Sequence, residues 1–183
     1  MGKVIIVNLF GGPGTGKSTT AAGVFAKLKM QNINCELVQE FAKHVVWRGN
    51  FTTLNNQLYI FAKQHDRLFH LKDKVDIIIT DSPTIMGLTY TDFTKVSPSL
   101  EQLVVDEYSR DDQINLNVFL NRVTAYDPVG RTQNEAEAKE KDVEIHTLLE
   151  KYNLPYLVMD ANSEISDVLT EKIIEIHEKE KKN

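Results

Sequence analysis

Residues 4–18 read VIIVNLFGGPGTGKS, and this stretch decides the fold. Its first seven residues form an apolar run that predicts a buried strand, and the next eight have the spacing of a phosphate-binding P-loop. In such a loop, glycines let the backbone N–H groups point inward at phosphates, the lysine reaches the β- and γ-phosphates, and the serine hydroxyl binds Mg²⁺. Helical spacing of apolar residues resumes after Lys17, so the positive end of a helix dipole faces the same spot.

The residues expected to hold the nucleotide phosphates lie in this loop or at the start of the helix behind it. Lys17 is also the expected catalytic cation, and Ser18 the expected Mg²⁺ ligand. The full set is Gly11, Gly12, Gly14, Thr15, Gly16, Lys17, Ser18 and Thr19.

The composition is that of an ordinary globular protein: 183 residues, 42% hydrophobic and 26% charged. That length predicts a single domain over residues 1–183. Cys35 is the one cysteine, which rules out an internal disulfide and gives no sign of an oxidising compartment. The apolar start is too short to span a bilayer and runs straight into the P-loop, so we expect no membrane association and a cytoplasmic location.

The formal net charge of −5 argues against a general nucleic-acid-binding surface. The charge is unevenly distributed, however. Residues 43–74 contain six Lys or Arg against two acids, whereas residues 132–183 contain seven against thirteen. The basic segment is compatible with an anionic substrate and equally with a solvated basic face that binds nothing.

Strand and helix patterns alternate along the whole chain. Apolar runs predict strands at 35–39, 75–80, 114–120 and 155–159, besides the first one. Helical spacing predicts helices after Lys17, from Thr53 to about Lys72, and over 99–111, 134–151 and 163–181. Such alternation predicts an α/β fold with a parallel five-stranded sheet and helices on both faces, whose ligands gather at the carboxyl ends of the strands.

Two carboxylates follow predicted strands at that edge. Asp81 follows an apolar strand, where an acid binds Mg²⁺ directly or through water, although a plain strand-end turn also uses aspartate. Glu40 closes the second strand, where a carboxylate can accept the proton of a substrate hydroxyl or bind a ribose. The alternative for Glu40 is a helix-capping or surface glutamate.

Residues 121–133 are the other candidate region. A strand leads to Arg122, Asp127, Pro128 and Gly130 mark a loop, and Arg131 stands just before a helix. An arginine loop that closes over transferring phosphates neutralises their charge and excludes water. This pattern predicts a lid over about 122–140; the alternative is a surface loop with modest ion pairs.

The sequence resembles the small P-loop kinases of the nicotinamide-riboside kinase type and their relatives among viral nucleotide kinases. The resemblance covers most of the chain, and the P-loop is its most specific part. The other matching segments are Gln39-Glu40-Phe41-Ala42, Gln57 and Gln64 in the long helix, Thr80-Asp81-Ser82, and Gly130-Arg131.

The resemblance implies a P-loop NTPase fold of nucleoside or nucleotide kinase type, with strand order 2-3-1-4-5 and an acceptor pocket under the long helix. It also implies that Arg122 lies near ATP, that Arg131 is a lid arginine, and that Glu40 or Asp81 orients the acceptor hydroxyl. The sequence departs from the pattern past Arg131, where Lys139 and Lys141 stand in place of another arginine.

Three further residues are candidates for acceptor binding. Gln57 and Gln64 carry the paired donor and acceptor groups that read an amide or a base edge, although an exposed polar helix face would look the same. Trp47 can stack on a base or pack at a rim.

The predicted function is ATP- and Mg²⁺-dependent phosphoryl transfer to a nucleoside-like small molecule. One alternative keeps this chemistry and changes the acceptor to a nucleoside monophosphate or a modified base hydroxyl in DNA. The other is a switch or binding module that hydrolyses a nucleotide without an acceptor. The sequence contains no Asn-Lys-x-Asp motif for guanine, which speaks against GTP.

Overall fold

The computed structural model describes residues 3–123 and 134–182. In these residues one parallel sheet of five strands forms the centre, in the order β2-β3-β1-β4-β5. The strands are β1 Val4–Phe10, β2 Cys35–Val38, β3 Ile77–Thr80, β4 Gln113–Asn121 and β5 Leu157–Asp160. The helices are α1 Lys17–Met30, α2 Phe41–Trp47, α3 Phe51–Leu54, α4 Gln57–Phe69, α5 Ser99–Tyr108, α6 Glu135–Lys151 and α7 Ile165–Glu180, with a 3₁₀ helix at Thr84–Tyr90.

The central strand β1 is buried along its whole length, as its unbroken apolar run predicts for a strand covered on both faces. On one face, Ile5, Val7 and Leu9 pack with the apolar sides of α1 and α7. On the other face, Phe10 packs with the 3₁₀ helix, α5 and α6. The prediction of a parallel five-stranded sheet with helices on both faces is confirmed, and so is the strand order.

The register of the sheet fixes which residues meet at its functional edge. Val38 of β2 and Asn8 of β1 both pair with Thr80 of β3. Because all strands are parallel, the segments that follow them leave the sheet at one edge. This alignment brings the P-loop after β1, the Glu40 segment after β2 and Asp81 after β3 together.

The predicted long helix from Thr53 to about Lys72 is wrong in its extent. The structure has two helices, α3 and α4, with a break at Asn55 and Asn56, and the side chain of Asn56 accepts a hydrogen bond from the backbone N–H of Tyr59. This cap starts a new helix, because asparagine at that position satisfies an N–H that the first turn leaves unpaired.

The face of α4 toward the core also differs from the predicted one. The apolar spacing that predicts the long helix includes Leu54, Leu58, Phe61, Leu68 and Leu71, and this spacing predicts a buried Leu58, whereas its side chain is 53% exposed. The buried residues are Ile60, Gln64 and Leu68. Their spacing is equally helical, but the row includes a glutamine, which a search for apolar residues alone does not select.

Two short elements were not predicted. Helix α2 begins directly after Glu40, and the 3₁₀ helix follows Pro83. Strand β2 ends at Val38. Glu40 therefore lies beyond the strand, at the N-cap position of α2, rather than at the end of the strand. No described helix has the length and apolar character needed to cross a membrane.

Candidate active site

The P-loop turns sharply between β1 and α1, and three of its glycines allow this. Gly11, Gly14 and Gly16 have φ angles of 135°, 78° and 90°, a region that residues with a Cβ rarely occupy. Inside the turn the Thr15 hydroxyl donates to the Gly12 carbonyl at 3.0 Å. The loop leads into the first turn of α1, whose N–H groups have no partner within the helix and are suited to bind phosphate oxygens.

Lys17, in the first turn of α1, extends back over the loop. Its ammonium donates to the carbonyls of Gly11 at 2.5 Å and Gly12 at 2.9 Å. Burial lowers the pKa of Lys17, and the carboxylates of Glu40, Asp81 and Asp142 act in the opposite direction. This cation is therefore surrounded by acids from three other segments of the chain.

Asp81 connects the two halves of the site. It is buried, and both of its carboxylate oxygens are used. Oδ2 accepts a hydrogen bond from the Ser18 hydroxyl at 2.6 Å, and Oδ1 accepts one from the backbone N–H of Glu40 at 2.9 Å. One side chain thus links the P-loop helix to the segment that carries the second candidate carboxylate.

Glu40 is half-buried next to this junction. Glu40 occupies the N-cap position of α2, but its side chain makes no capping hydrogen bond there. Burial raises the pKa of Glu40, the nearby charge of Asp81 adds to the rise, and Lys17 opposes it. A carboxylate with a raised pKa is suited to take up a proton, which is the role of a general base.

Arg122 and Asp142 hold the other side of the P-loop. The Arg122 guanidinium donates to the Pro13 carbonyl at 2.6 Å and to Asp142 Oδ2 at 3.0 Å. Asp142 Oδ1 accepts the backbone N–H of Gly12 at 2.5 Å. The Arg122–Asp142 pair is mostly buried, with 9% and 21% of the side chains exposed, so solvent screens it only weakly.

Asp142 is a site residue that the sequence reasoning missed. No local motif surrounds it in α6, and only its position shortly after the predicted lid could have drawn attention to it. Arg131, the predicted lid arginine, lies outside the described residues, as do residues 124–133 in general.

The two lysines past the lid lie in different surroundings. Lys139 is on the surface and pairs with Glu135 at 2.9 Å. Lys141 donates to the Thr89 carbonyl at 2.7 Å and lies 4.4 Å from the centre of the Tyr90 ring. Lys141 therefore attaches α6 to the 3₁₀ helix, whereas Lys139 contacts only its own helix within the described residues.

A cavity of about 30 Å³ lies next to the Asp81 junction, between α4, the 3₁₀ helix and α5. It is mostly apolar, and both predicted glutamines line it. Gln64 is 3% exposed, and its Oε1 accepts the backbone N–H of Phe41 at 2.9 Å. Its Nε2 has no hydrogen-bond partner in the described part of the chain. Gln57 donates to the Leu54 carbonyl at 2.8 Å.

Trp47 lies elsewhere. Its side chain is 65% exposed at the end of α2 and is not among the residues that line the cavity. The structure therefore brings Gln57 and Gln64 together at one cavity and leaves Trp47 outside it, and a role for Trp47 in acceptor binding stays a prediction.

The sheet order, the loop after β1 and the acid after β3 define the class: a P-loop NTPase with a deoxynucleoside kinase-like fold. Residues 6–164 match a family described as AAA domain, AAA_28, and the chain belongs to this family. No curated protein matches the chain in sequence.

A solved structure with a similar fold is that of deoxyadenosine kinase from M. mycoides, described with the products dCMP and a flexible dCDP bound. The TM-score is 0.58, and the alignment covers 93% of this chain and 99% of that one. Sequence identity is 18%, so the similarity concerns the fold.

Proposed function

We propose that the protein transfers the γ-phosphoryl group of ATP to a hydroxyl of a nucleoside-like small molecule, with Mg²⁺. The observation that carries the proposal is the double hydrogen bond of Asp81, from Ser18 on the phosphate side and from the Glu40 backbone on the cavity side. A nucleotide-hydrolysing switch needs the first contact. An acceptor kinase needs both, because it must hold two substrates in line.

The nucleotide side of the site has a suitable partner for each part of a triphosphate. The backbone N–H groups at the start of α1 bind phosphate oxygens, Lys17 supplies a positive charge, and Arg122 adds a second cation beside Pro13. The hydroxyl of Ser18 and the carboxylate of Asp81 are the hard oxygen ligands that Mg²⁺ prefers. The ion, when bound, neutralises charge that develops on the phosphates.

In the acceptor half, Glu40 is the proposed general base. Its carboxylate takes the proton of the attacking hydroxyl, and its raised pKa favours this uptake. The cavity next to the Asp81 junction has the mainly apolar lining of a small-molecule site, and the unpartnered Nε2 of Gln64 is available to a polar edge of the ligand. The chemistry fits a nucleoside base or a nicotinamide ring, and phosphorylation of a riboside is the specific activity we propose.

The test is a screen for phosphorylated product. Nucleosides, nicotinamide riboside, nucleoside monophosphates and oligonucleotides are each incubated with ATP and Mg²⁺. We expect product from an uncharged riboside. Product only from a monophosphate or an oligonucleotide would replace the proposed acceptor class, and ATP hydrolysis that no acceptor changes would point to a switch.

Glu40→Gln tests the catalytic base within the same assay. The amide keeps the shape but cannot take up the proton, so turnover falls on the order of a hundredfold while the ATP KM is nearly unchanged. Glu36→Gln is the matched control, since Glu36 lies on β2 and pairs only with Lys29 on the surface. Wild-type turnover in Glu40→Gln would remove Glu40 from the mechanism.

The pH dependence provides a second readout for Glu40. The raised pKa places the acidic limb of the kcat/KM profile above the range of an ordinary glutamate, and this limb disappears in Glu40→Gln. The folded state binds this proton more tightly than the unfolded state, so its contribution to stability declines as the pH rises through the folded-state pKa. Glu40→Gln should therefore melt at or above the wild-type temperature at alkaline pH and lose this advantage in acid.

A further inference from the structure

A groove on the outer side of α2 and α4 carries positive charge that forms no ion pair with a carboxylate in residues 3–123 and 134–182. It has a volume of about 450 Å³, and Phe41, His44, Arg48, Tyr59 and Arg67 are among its lining residues. We call it the arginine groove. It is separate from the acceptor cavity, because neighbouring residues of the same helices line the two on opposite sides: Phe41 and Tyr59 the groove, Ala42 and Ile60 the cavity.

The cations of the groove differ from most other cations of this acidic chain in their lack of ion pairs. Elsewhere in the described residues, lysines and arginines commonly form ion pairs, such as Lys27 with Asp167 and Lys151 with Glu101. Three cations line the groove or lie beside its Tyr59 ring, and none has a carboxylate within salt-bridge distance in the described part of the chain; these are Arg48, Lys63 and Arg67.

Asp66 is the acidic residue of helices α2 and α4, and its Oδ1 lies 3.1 Å from Nε2 of His70. Arg67 instead donates to the Gln39 carbonyl at 2.9 Å and lies 5.2 Å from the centre of the Phe41 ring. Because these cations have no ion pair with a carboxylate of the described residues, their positive charge is available to an anion from outside.

Aromatic rings alternate with these charges. Phe41 and Tyr59 meet edge to face, with their ring centres 5.7 Å apart, and the centre of the His44 ring lies 6.4 Å from that of Phe41. Tyr59 is 40% exposed, and Trp47, the only tryptophan of the chain, is exposed on the same short helix as Phe41. Exposed rings between cations are the arrangement on which unpaired bases stack while their phosphates bind the charges.

Two amides complete the rim. Asn50 and Asn56 cap α3 and α4 through their side-chain oxygens, which accept from Thr53 and Tyr59. This use of the oxygens directs the NH₂ groups away from the helices, so each can donate to a phosphate oxygen.

We propose that the arginine groove binds single-stranded nucleic acid. The cations attract the phosphate backbone, and the rings take bases that are not paired; a duplex, whose bases are already stacked, lacks this second contact. The net charge of −5 disfavours nucleic acid for the chain as a whole, but the groove concentrates the opposite sign in one place. The proposal does not depend on the proposed phosphoryl transfer.

The test is direct binding in the absence of ATP. A fluorescently labelled oligothymidylate of about 12 nucleotides, a typical site length for such grooves, is titrated with the protein at several salt concentrations and followed by anisotropy. The affinity is expected to fall as salt rises. Trp47 is exposed at the end of α2, next to Arg48, and quenching of its fluorescence by an unlabelled strand is a second readout of binding.

Arg48→Ala is the decisive variant. Arg48 is exposed, so the substitution leaves the fold intact, and removal of its charge should weaken strand binding about tenfold and reduce the salt slope by roughly 0.7. Arg48→Lys should retain most of the affinity. Tyr59→Leu should weaken binding about tenfold through lost stacking, with a smaller change in salt slope. Lys172→Ala on α7 removes one exposed charge from the opposite face and should change nothing.

Several results would overturn the proposal. These are no binding at low salt, equal losses in Arg48→Ala and Lys172→Ala, or binding of thymidine monophosphate or of a duplex as tight as that of the strand. Lys17→Ala, which disables the P-loop, should bind the strand like the wild type. Failure of phosphoryl transfer therefore leaves the binding result standing, and the reverse also holds.

Discussion

The P-loop half of the site and the cavity half differ in how their polar groups are satisfied. On the P-loop side, Lys17, Asp81, Asp142 and Arg122 are tied to backbone or side-chain partners at 2.5–3.0 Å. On the cavity side, Gln64 is almost fully buried, yet its amide nitrogen has no partner in the described chain.

This difference leads us to expect a different role for each half of the site. The P-loop half holds its geometry through its own hydrogen bonds, as expected where preorganised groups stabilise the charge that develops in a transition state. The cavity half retains an unsatisfied donor that a ligand can complete, which is how a buried polar group gives specificity. Substitutions in the two halves should therefore have different signatures.

Lys17→Ala should have the largest effect. Removal of the only lysine in the loop takes away a cation that contacts the transferring phosphates, and turnover should fall at least about a thousandfold. Because burial already lowers the pKa of Lys17, loss of this charge should not lower the melting temperature. Lys27→Ala is the control. Lys27 lies on the same helix as Lys17, and its side chain forms a surface ion pair with Asp167 of α7. Normal turnover in Lys17→Ala would refute the phosphate-binding role.

Asp81→Asn should come next. An amide can replace one of the two acceptor oxygens but not the charge, so kcat should fall roughly a hundredfold or more while the ATP KM changes much less. Ser18→Ala removes one of the same hydrogen bonds and leaves the carboxylate in place, and comparison of the two variants in a Mg²⁺ titration isolates the charge. Equal losses in kcat and ATP affinity would assign Asp81 a structural role instead.

Asp142→Asn should have an intermediate effect, and this effect should be on the ATP KM rather than on kcat. Asp142 contacts the backbone of Gly12 and orients Arg122, so the variant should raise the ATP KM about tenfold and change kcat less. Glu144→Gln, on the exposed side of the same helix, serves as the comparison. An unchanged ATP KM would mean that the P-loop does not need this contact.

Gln64→Leu should have the smallest effect on the fold and a selective effect on the acceptor. The variant loses the bond to Phe41 but also removes the unpartnered NH₂, so the unfolding free energy should change by no more than about 1 kcal/mol. The acceptor KM should rise about tenfold with the ATP KM unaltered. Strong destabilisation with a normal acceptor KM would show that Gln64 only supports α2.

The phosphate-binding half could be predicted from sequence because its signal is local. A buried strand, a glycine turn and a helix follow one another within residues 4–30, and each of these elements is specified by a few neighbouring residues. Asp81 could be identified for the same reason, since it directly follows the apolar run of β3.

The cavity half could not be predicted to the same depth. The break at Asn56 depends on a side-chain cap, which competes with an apolar pattern that continues through it. The burial of Gln64 and the exposure of Leu58 depend on how α4 rotates against the 3₁₀ helix, a contact between distant segments. Asp142 reaches the P-loop only through the packing of α6.

The packing of α6 also restricts which residue can stand at position 12 of the P-loop motif. A Cβ at this position would lie 2.5 Å from the Ala138 carbonyl oxygen and 2.7 Å from Asp142 Oδ1, so any larger residue would push α6 away. The second glycine of the loop is thus required by a helix about 130 positions later in the chain, not by the turn in which it stands. Exchange of helix α6 between family members is therefore expected to succeed only together with the residue at position 12.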